Sequence, residues 1–384
     1  MSRGPAARPT AAPGGAAVAV DHGDTGHDGT SGAVAVARAG RVVALRAGPL
    51  STRIDTRSVA VSLVLAALVV AGLCWSVTVG DSSIPLSDVL GELFGWGGNP
   101  DSDFVIWHLR LPRILTGVLV GAAFGLSGQV FQRLVHNPLA SPDILGVSSG
   151  AAAGAVLHLA FIGGSSRAVT VSALVGAALT VALVNLLAFG RGRSSYRIVL
   201  VGIGLSAMLN AAVAHLSTRI TLNDAQRATV WLTGSLSGRD WSYVRPLAVV
   251  LAVLLPLTMI AARQLRALEL GDDAAQGLGV EIGRAKLLLS LTGAALAAVA
   301  TAAAGPVGFV ALVSPQIARR LVGTRAAGLV PAALVGSVVV VFADLLARRL
   351  FAPTELPVGA VTAIVGAPYL LWLLARANRI GSNP

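Results

Sequence analysis

Runs of about twenty mostly apolar residues recur along this chain of 384, each long enough to cross roughly 30 Å of hydrocarbon as a helix. They fall near 59–80, 112–134, 143–162, 168–190, 197–217, 243–263, 285–304, 306–323, 327–347 and 357–376. Backbone N–H and C=O groups find no water in lipid, so such segments must satisfy one another locally, and a helix does this. The expected fold class is therefore all-α integral membrane, with about ten transmembrane helices. The pairs 143–162/168–190 and 285–304/306–323 are joined so tightly that each is expected to be a helical hairpin. The first run is long enough to be retained as a span rather than removed as a signal core.

Composition agrees with the runs. Charged residues make up 12% of the chain against about 25% in soluble domains, and mean hydropathy is +0.76. The net charge of +11 comes from arginines scattered between apolar runs, Lys286 being the only lysine, and aromatics are 5%. A nucleic-acid binder would concentrate that charge on a polar face, so no nucleic-acid partner is expected. Cys74 is the single cysteine, which excludes an internal disulfide or a cysteine metal site. Residues 1–56 are rich in Ala, Gly, Pro and Arg and are expected to be a disordered cytoplasmic tail. His22, Asp24, His27 and Asp28 cluster there, but a solvated tail is favoured over a metal site, and no metal or cofactor is expected.

Basic residues orient the bundle. With both termini inside, the larger share of the arginines lies on the cytoplasmic connections, as the positive-inside rule requires. Arg110, Arg113, Arg167, Arg219, Arg227, Arg239, Arg245, Arg348 and Arg349 fall outside, an excess that wants a cause. Small residues recur every fourth position at Gly117, Gly121 and Gly125 and at Gly146, Gly150 and Gly154, which predicts close helix packing within one subunit. Gly128 precedes Pro138 by the same interval as Gly305 precedes Pro315, a faint sign of an internal repeat. Pro138 and Pro142 predict a cytoplasmic turn, with Ser141 or Asp143 as helix caps.

Enzymatic readings fail. No GxxxxGK[ST] loop is present to cradle a nucleotide phosphate, and no HExxH or GxSxG element occurs. Carboxylates within the spans are close to absent, Asp344 being the main exception, which argues against an ion-coupled carrier. Energy is expected to come from a partner. The best place to meet one is the internal connection 264–284, QLRALELGDDAAQGLGVEIGR. Gly271 followed by Asp272 and Asp273 predicts the start of a short helix, where carboxylates meet free N–H groups. A compact helix–turn–helix there would pass on a push as a rigid element.

Five stretches carry a resemblance. They are LRLPRILTGVLVGAAFGLSGQVFQRLVHNPLASPDILGVSSGAA (Leu109–Ala152), LGDDAAQGLGV (Leu270–Val280), AGPVGFVALVSPQIARRLVG (Ala304–Gly323), ADLLARR (Ala343–Arg349) and ELPVGAVTAIVGAPYLLWLL (Glu355–Leu374). In order and spacing the chain resembles the iron-siderophore and cobalamin ABC transporter permease family over about residues 58 to 378. Two departures stand out: Gln316 where the family usually has His, and Ala311 where it usually has Gly. Gln316 retains hydrogen-bonding capacity, so the turn beside Pro315 is expected to survive, without any titrating role.

The resemblance implies a type II ABC importer permease fold in a ten-helix domain over 57–380, embedded in membrane lipid and paired with a second permease subunit, identical or paralogous. It further implies two cytoplasmic ATPase subunits, which hydrolyse the ATP, and an extracytoplasmic substrate-binding protein. Leu270, Gly271, Asp272, Asp273, Ala274, Ala275, Gly277 and Leu278 are thereby assigned to the ATPase contact. Arg110, Arg113 and Arg348 correspond to arginines that dock carboxylates of the binding protein, which supplies a cause for part of the external excess. The function implied is import of ferric siderophore by alternating access, with haem or cobalamin as alternative cargo. Two different classes stay open, an ion-coupled secondary carrier and a membrane-bound sensor or assembly scaffold.

Overall fold

The structure, a computed structural model, describes residues 35–39, 42–47, 50–80, 84–85, 87–89, 91, 103–163, 165–188, 195–323 and 328–381. The His22–Asp28 cluster lies outside them. Contacts divide the chain into a unit Met1–Arg53 and a unit Ile54–Pro384. In the segment read as a disordered tail, three short strands form one sheet: β1 (Ala35–Ala39), β2 (Val42–Ala47) and β3 (Leu50–Asp55). β1 and β2 are antiparallel with Ala39 opposite Val42. The composition argument passed over the β-branched and apolar residues that recur through 36–45.

Beyond the end of β3 the described residues of the second unit form helices joined by turns and loops. α1 (Thr56–Thr78) is capped by Asp55, whose side chain accepts from the Arg57 N–H. A π-helical turn, Val105–Arg110, runs into α2 (Leu111–Leu134). Pro112 offers no N–H there, and a widened turn accommodates the carbonyl it leaves behind. Then come α3 (Val147–Phe161), α4 (Ser166–Ala188), α5 (Ser195–Ser217), α6 (Leu222–Thr233), α7 (Trp241–Ala261), α8 (Leu265–Leu268), α9 (Asp272–Gly277), α10 (Ile282–Ala304), α11 (Val310–Val322), α12 (Leu329–Arg349) and α13 (Val358–Gly381). Among the described residues seven helices are long and apolar enough to cross a membrane, and α3 and Val358–Leu373 of α13 are shorter apolar helices. With α11 they correspond, one for one, to the ten runs read from the sequence.

α2 is the centre of the bundle. It is buried along most of its length and packs on α12, α10, α11 and α7. The first glycine stripe is its seam with α12: a side chain at Gly121 would strike the Gly336 carbonyl, and one at Gly125 the Ala332 carbonyl. The second stripe joins α3 to α4, where Gly150 and Gly154 face Gly176 and Ser172. Both stripes are seams within one subunit, as expected. Polar side chains reinforce them, Ser127 donating to the Gly293 carbonyl at 2.6 Å and Ser337 to that of Val118 at 2.8 Å.

α3 and α4 form the expected hairpin. α10 and α11 do not; both pack against α2 instead of pairing with each other. The 306–323 run is helical only from Val310, because Gly305 (φ 78°) and Phe309 (φ 66°) sit in the left-handed region and Pro306 between them donates nothing. Neighbouring backbone covers this break: Ser235 N–H donates to the Ala304 carbonyl at 2.8 Å and Gly359 N–H to that of Gly234 at 3.1 Å. Irregular backbone at membrane depth is tolerated where protein buries it.

The α2–α12 seam predicts that Gly121→Val lowers the thermal unfolding midpoint in detergent, since overpacking costs about 1–3 kcal/mol. Gly204→Ala on α5, which meets open space, should leave the midpoint unchanged or raise it. Equal midpoints for Gly121→Val and the parent chain would show that the seam is loose.

Candidate functional site

Sequence-assigned residues gather at opposite ends of the bundle. At one end α8 and α9 form a small buttress over the ends of α2 and α10. Leu265, Leu268 and Ala275 are buried and anchor it, while Leu270 and Leu278 are each 66% exposed. Gly271 takes φ 99° and Gly279 φ 83°, so the chain bends sharply on either side of α9 where a side chain would be strained. Asp272 and Asp273 occupy the first turn of α9 as expected, but neither caps it through its side chain. The Asp272 carboxylate is committed elsewhere: it accepts from Lys286 Nζ at 2.6 Å, and that lysine is buried at the base of α10. Asp273, Ala274 and Gly277 stay exposed. The assigned residues thus divide into a strut, Asp272 and Ala275, and an outward face.

More polar contacts brace the same end. Arg133 pairs with Glu269 at 3.3 Å, and His136 Nε2 lies 3.1 Å from the Leu268 carbonyl. Gln132 donates to the Leu312 carbonyl at 2.8 Å and accepts from Arg319 at 2.6 Å. Gln316 donates to the Pro138 carbonyl, so the turn survives the loss of the family's usual histidine. Ser141 begins the short 3-10 turn Pro142–Leu145 without a side-chain bond, whereas Asp143 accepts from Ser148. Ala311 stands where a side chain on Gly128 would meet its carbonyl, so the close approach comes from Gly128 on the α2 side.

At the opposite end Asp344 organises the arginines. Buried on α12, it lies 2.9 Å from Arg113 and 3.2 Å from Arg348. Arg113 also reaches Glu355 at 2.9 Å, a carboxylate left 42% exposed. Arg348 donates to Ser76 as well, and Arg110 is buried, donating to the Val77 carbonyl. The three arginines expected to await a partner's carboxylates therefore share this end, and each already has a partner within the chain. Glu355 is the accessible member of the Arg113–Glu355 pair. Sequence reasoning singled out Asp344 but not Glu355 or Ser76 as its company.

It also missed α6. The signal was present: Thr221 accepts from the Asp224 N–H at 3.3 Å and donates to the Asp224 carboxylate at 2.7 Å, a reciprocal cap spelled by Thr-x-x-Asp. α6 is amphipathic rather than apolar, so a search for spans passes over it. With Ser165–Arg167 and the loop 235–240 it walls a cleft of about 1000 Å³ that contains Arg167, Arg227 and Arg239. Trp241 donates to the Trp107 carbonyl at 2.7 Å, tying the cleft's rim to the arginine-rich end.

Comparison with known proteins places this architecture. Ferric enterobactin transport system permease protein FepG of Escherichia coli (strain K12) is 41% identical over 317 residues, 83% of this chain and 96% of that one. Iron(3+)-hydroxamate import system permease protein FhuG of Bacillus subtilis (strain 168) is 37% identical over 320 residues, 81% and 95% of the two chains. A solved metal-chelate type ABC transporter in an inward-facing conformation superposes with a TM-score of 0.73 at 31% identity, covering 83% of this chain and 99% of that one. The fold is that of a type II ABC importer permease. The model of the FecCD transport family matches residues 66–376, from within α1 to within α13, and the chain belongs to that family.

Proposed function

We propose that this chain is the membrane half of a ferric-siderophore importer of the cytoplasmic membrane. It works as a pair with an identical or paralogous permease, is driven by two cytoplasmic ATPases, and is fed by an extracytoplasmic binding protein. The observation that carries the reading is the buttress α8–α9, which is exposed yet rigidly tied to α10 through Asp272 and Lys286. An ATPase gripping Leu270, Asp273 and Leu278 would move α10 with it, and alternating access follows if nucleotide binds one state more tightly. Arg57, Arg133, Arg319 and Arg320 lie at this same end, which supports placing it and both termini in the cytoplasm. Asp344 is neutralised by two arginines, so it is a poor seat for a driving cation, and this favours a partner ATPase over ion coupling. Iron chelates in the names of relatives support the cargo, with haem and cobalamin as the alternatives.

Replacing Asp272 and Asp273 together by Arg should abolish uptake and substrate-stimulated ATP turnover while the permease pair remains assembled in a pull-down. Lys286→Met should give the same uncoupling with Asp273 intact; unchanged turnover in both would defeat the coupling assignment. At the other end, an exposed pair is worth about 0.2–1 kcal/mol, so Glu355→Gln should tighten docking of the binding protein by up to about fivefold, while Arg113→Ala weakens it. Binding kinetics on reconstituted permease read this, and an Arg113→Ala variant that docks normally would remove arginine from the docking surface. Deleting the gene should impair growth under iron limitation, with added siderophore failing to restore it; full restoration would point to other cargo.

A further inference from the structure

Three of the external arginines that Asp344 does not account for converge on one cleft. Arg167 begins α4, Arg227 lies on α6, and Arg239 precedes α7, and all three line the cleft of about 1000 Å³. Small-molecule sites are typically about 300–1,000 Å³, so the space suits a bulky ligand. Three guanidinium groups here have two carboxylates beside them, Asp224 and Asp240. Arg167 donates to the Ser242 hydroxyl at 3.1 Å, and Arg239 donates to the Ser235 carbonyl at 3.4 Å and lies 4.5 Å from the Tyr243 ring centre. Arg227 has Asp224 at 3.7 Å, with its own side chain 68% exposed. Asp240 is the one carboxylate lining the cleft, and it accepts from Ser242. Arg113 and Arg348, by contrast, are each gripped by Asp344.

A second observation points the same way. Trp231 lines the cleft at 9% exposure, and its indole N–H has no acceptor among the described residues. Burial also lowers the Arg239 guanidinium from its ordinary value, with Tyr243 and Asp240 pulling it back. Asn223 and Gln226 add carboxamide donors from the same face of α6.

We infer that this cleft is a binding site for an anionic iron chelate, with Arg167, Arg227 and Arg239 gripping its carboxylate or catecholate oxygens. Guanidinium forks match paired anionic oxygens, and three spread around one concavity fit a ligand that presents several such pairs. A single headgroup phosphate would leave most of the cleft unfilled. The inference rests on the importer reading and adds a station on the permease itself, selective for cargo charge.

The test uses the full chain in nanodiscs of zwitterionic lipid, titrated with the gallium(III) tris-catecholate trianion and with a neutral gallium(III) tris-hydroxamate. The trianion should bind in the range up to about 1 mM, while the neutral chelate should bind at least tenfold more weakly. Arg227→Gln, at an exposed position, should weaken trianion binding about fivefold, and Arg167→Gln/Arg227→Gln/Arg239→Gln together more than fiftyfold. An unchanged thermal midpoint for Arg227→Gln shows that its loss is local. The inference is overturned if the wild type fails to bind the trianion, if the neutral chelate binds equally, or if the triple variant binds as the wild type does. Discs doped with phosphatidylglycerol separate the lipid source: arginine-dependent enrichment of that lipid without chelate binding would make the cleft a headgroup site and overturn the inference. Uptake by the wild-type complex with its ATPases and binding protein is scored separately. Loss of that uptake defeats the importer reading, whereas uptake without arginine-dependent binding defeats only the cleft.

Discussion

Hydrocarbon offers no hydrogen bonds, so every peptide group in the bundle must find its partner within the protein. The rest of the structure follows from how that requirement is met where helices touch or break. Glycines on α2 and α12 let two backbones approach until carbonyls lie against Cα atoms, and α2 becomes a pillar on which α10, α11 and α12 all lean. The one deep break, Gly305–Phe309, survives because backbone from 234–235 and 359 closes over it.

Charge obeys the same logic at the two ends. Asp344 is buried, and a lone carboxylate there would be costly; two arginines neutralise it, and Glu355 shares one of them. That cluster is closed, apart from its exposed member. At the opposite end buried Lys286 pairs with the half-exposed Asp272 and fastens α9 to α10. Between these lies a contrast of functional weight. The arginines around Asp344 hold the fold, whereas those in the α6 cleft face hydroxyls, a carbonyl and a ring, with Asp224 and Asp240 as the carboxylates beside them.

Much of this was legible along the chain. The ten apolar runs match ten helices because helical hydrogen bonds are local and a span needs only length and apolarity. Segment 264–284 announced itself through Gly271 and the paired aspartates, and its outward leucines are exposed. Less was legible where amphipathic or irregular pieces matter. α6 carried a capping signal but too little apolarity to register as a span, and the strands at 35–55 hid within a composition typical of tails.

Sequence alone determined that the chain is a helical membrane protein, where its membrane helices lie, which family's motifs it carries and that a short helix opens at Asp272 in the connection 264–284. Those properties depend on neighbours within one or two turns, or on patterns repeated along the chain. Tertiary structure alone decided which charges are spent. Arg113 meets Asp344 across 231 positions and Glu355 across 242, and no local pattern records such pairings. It also decided that α10 and α11 part to either partner of α2, since a glycine–proline break reads as a tight turn until packing shows where the chain goes next.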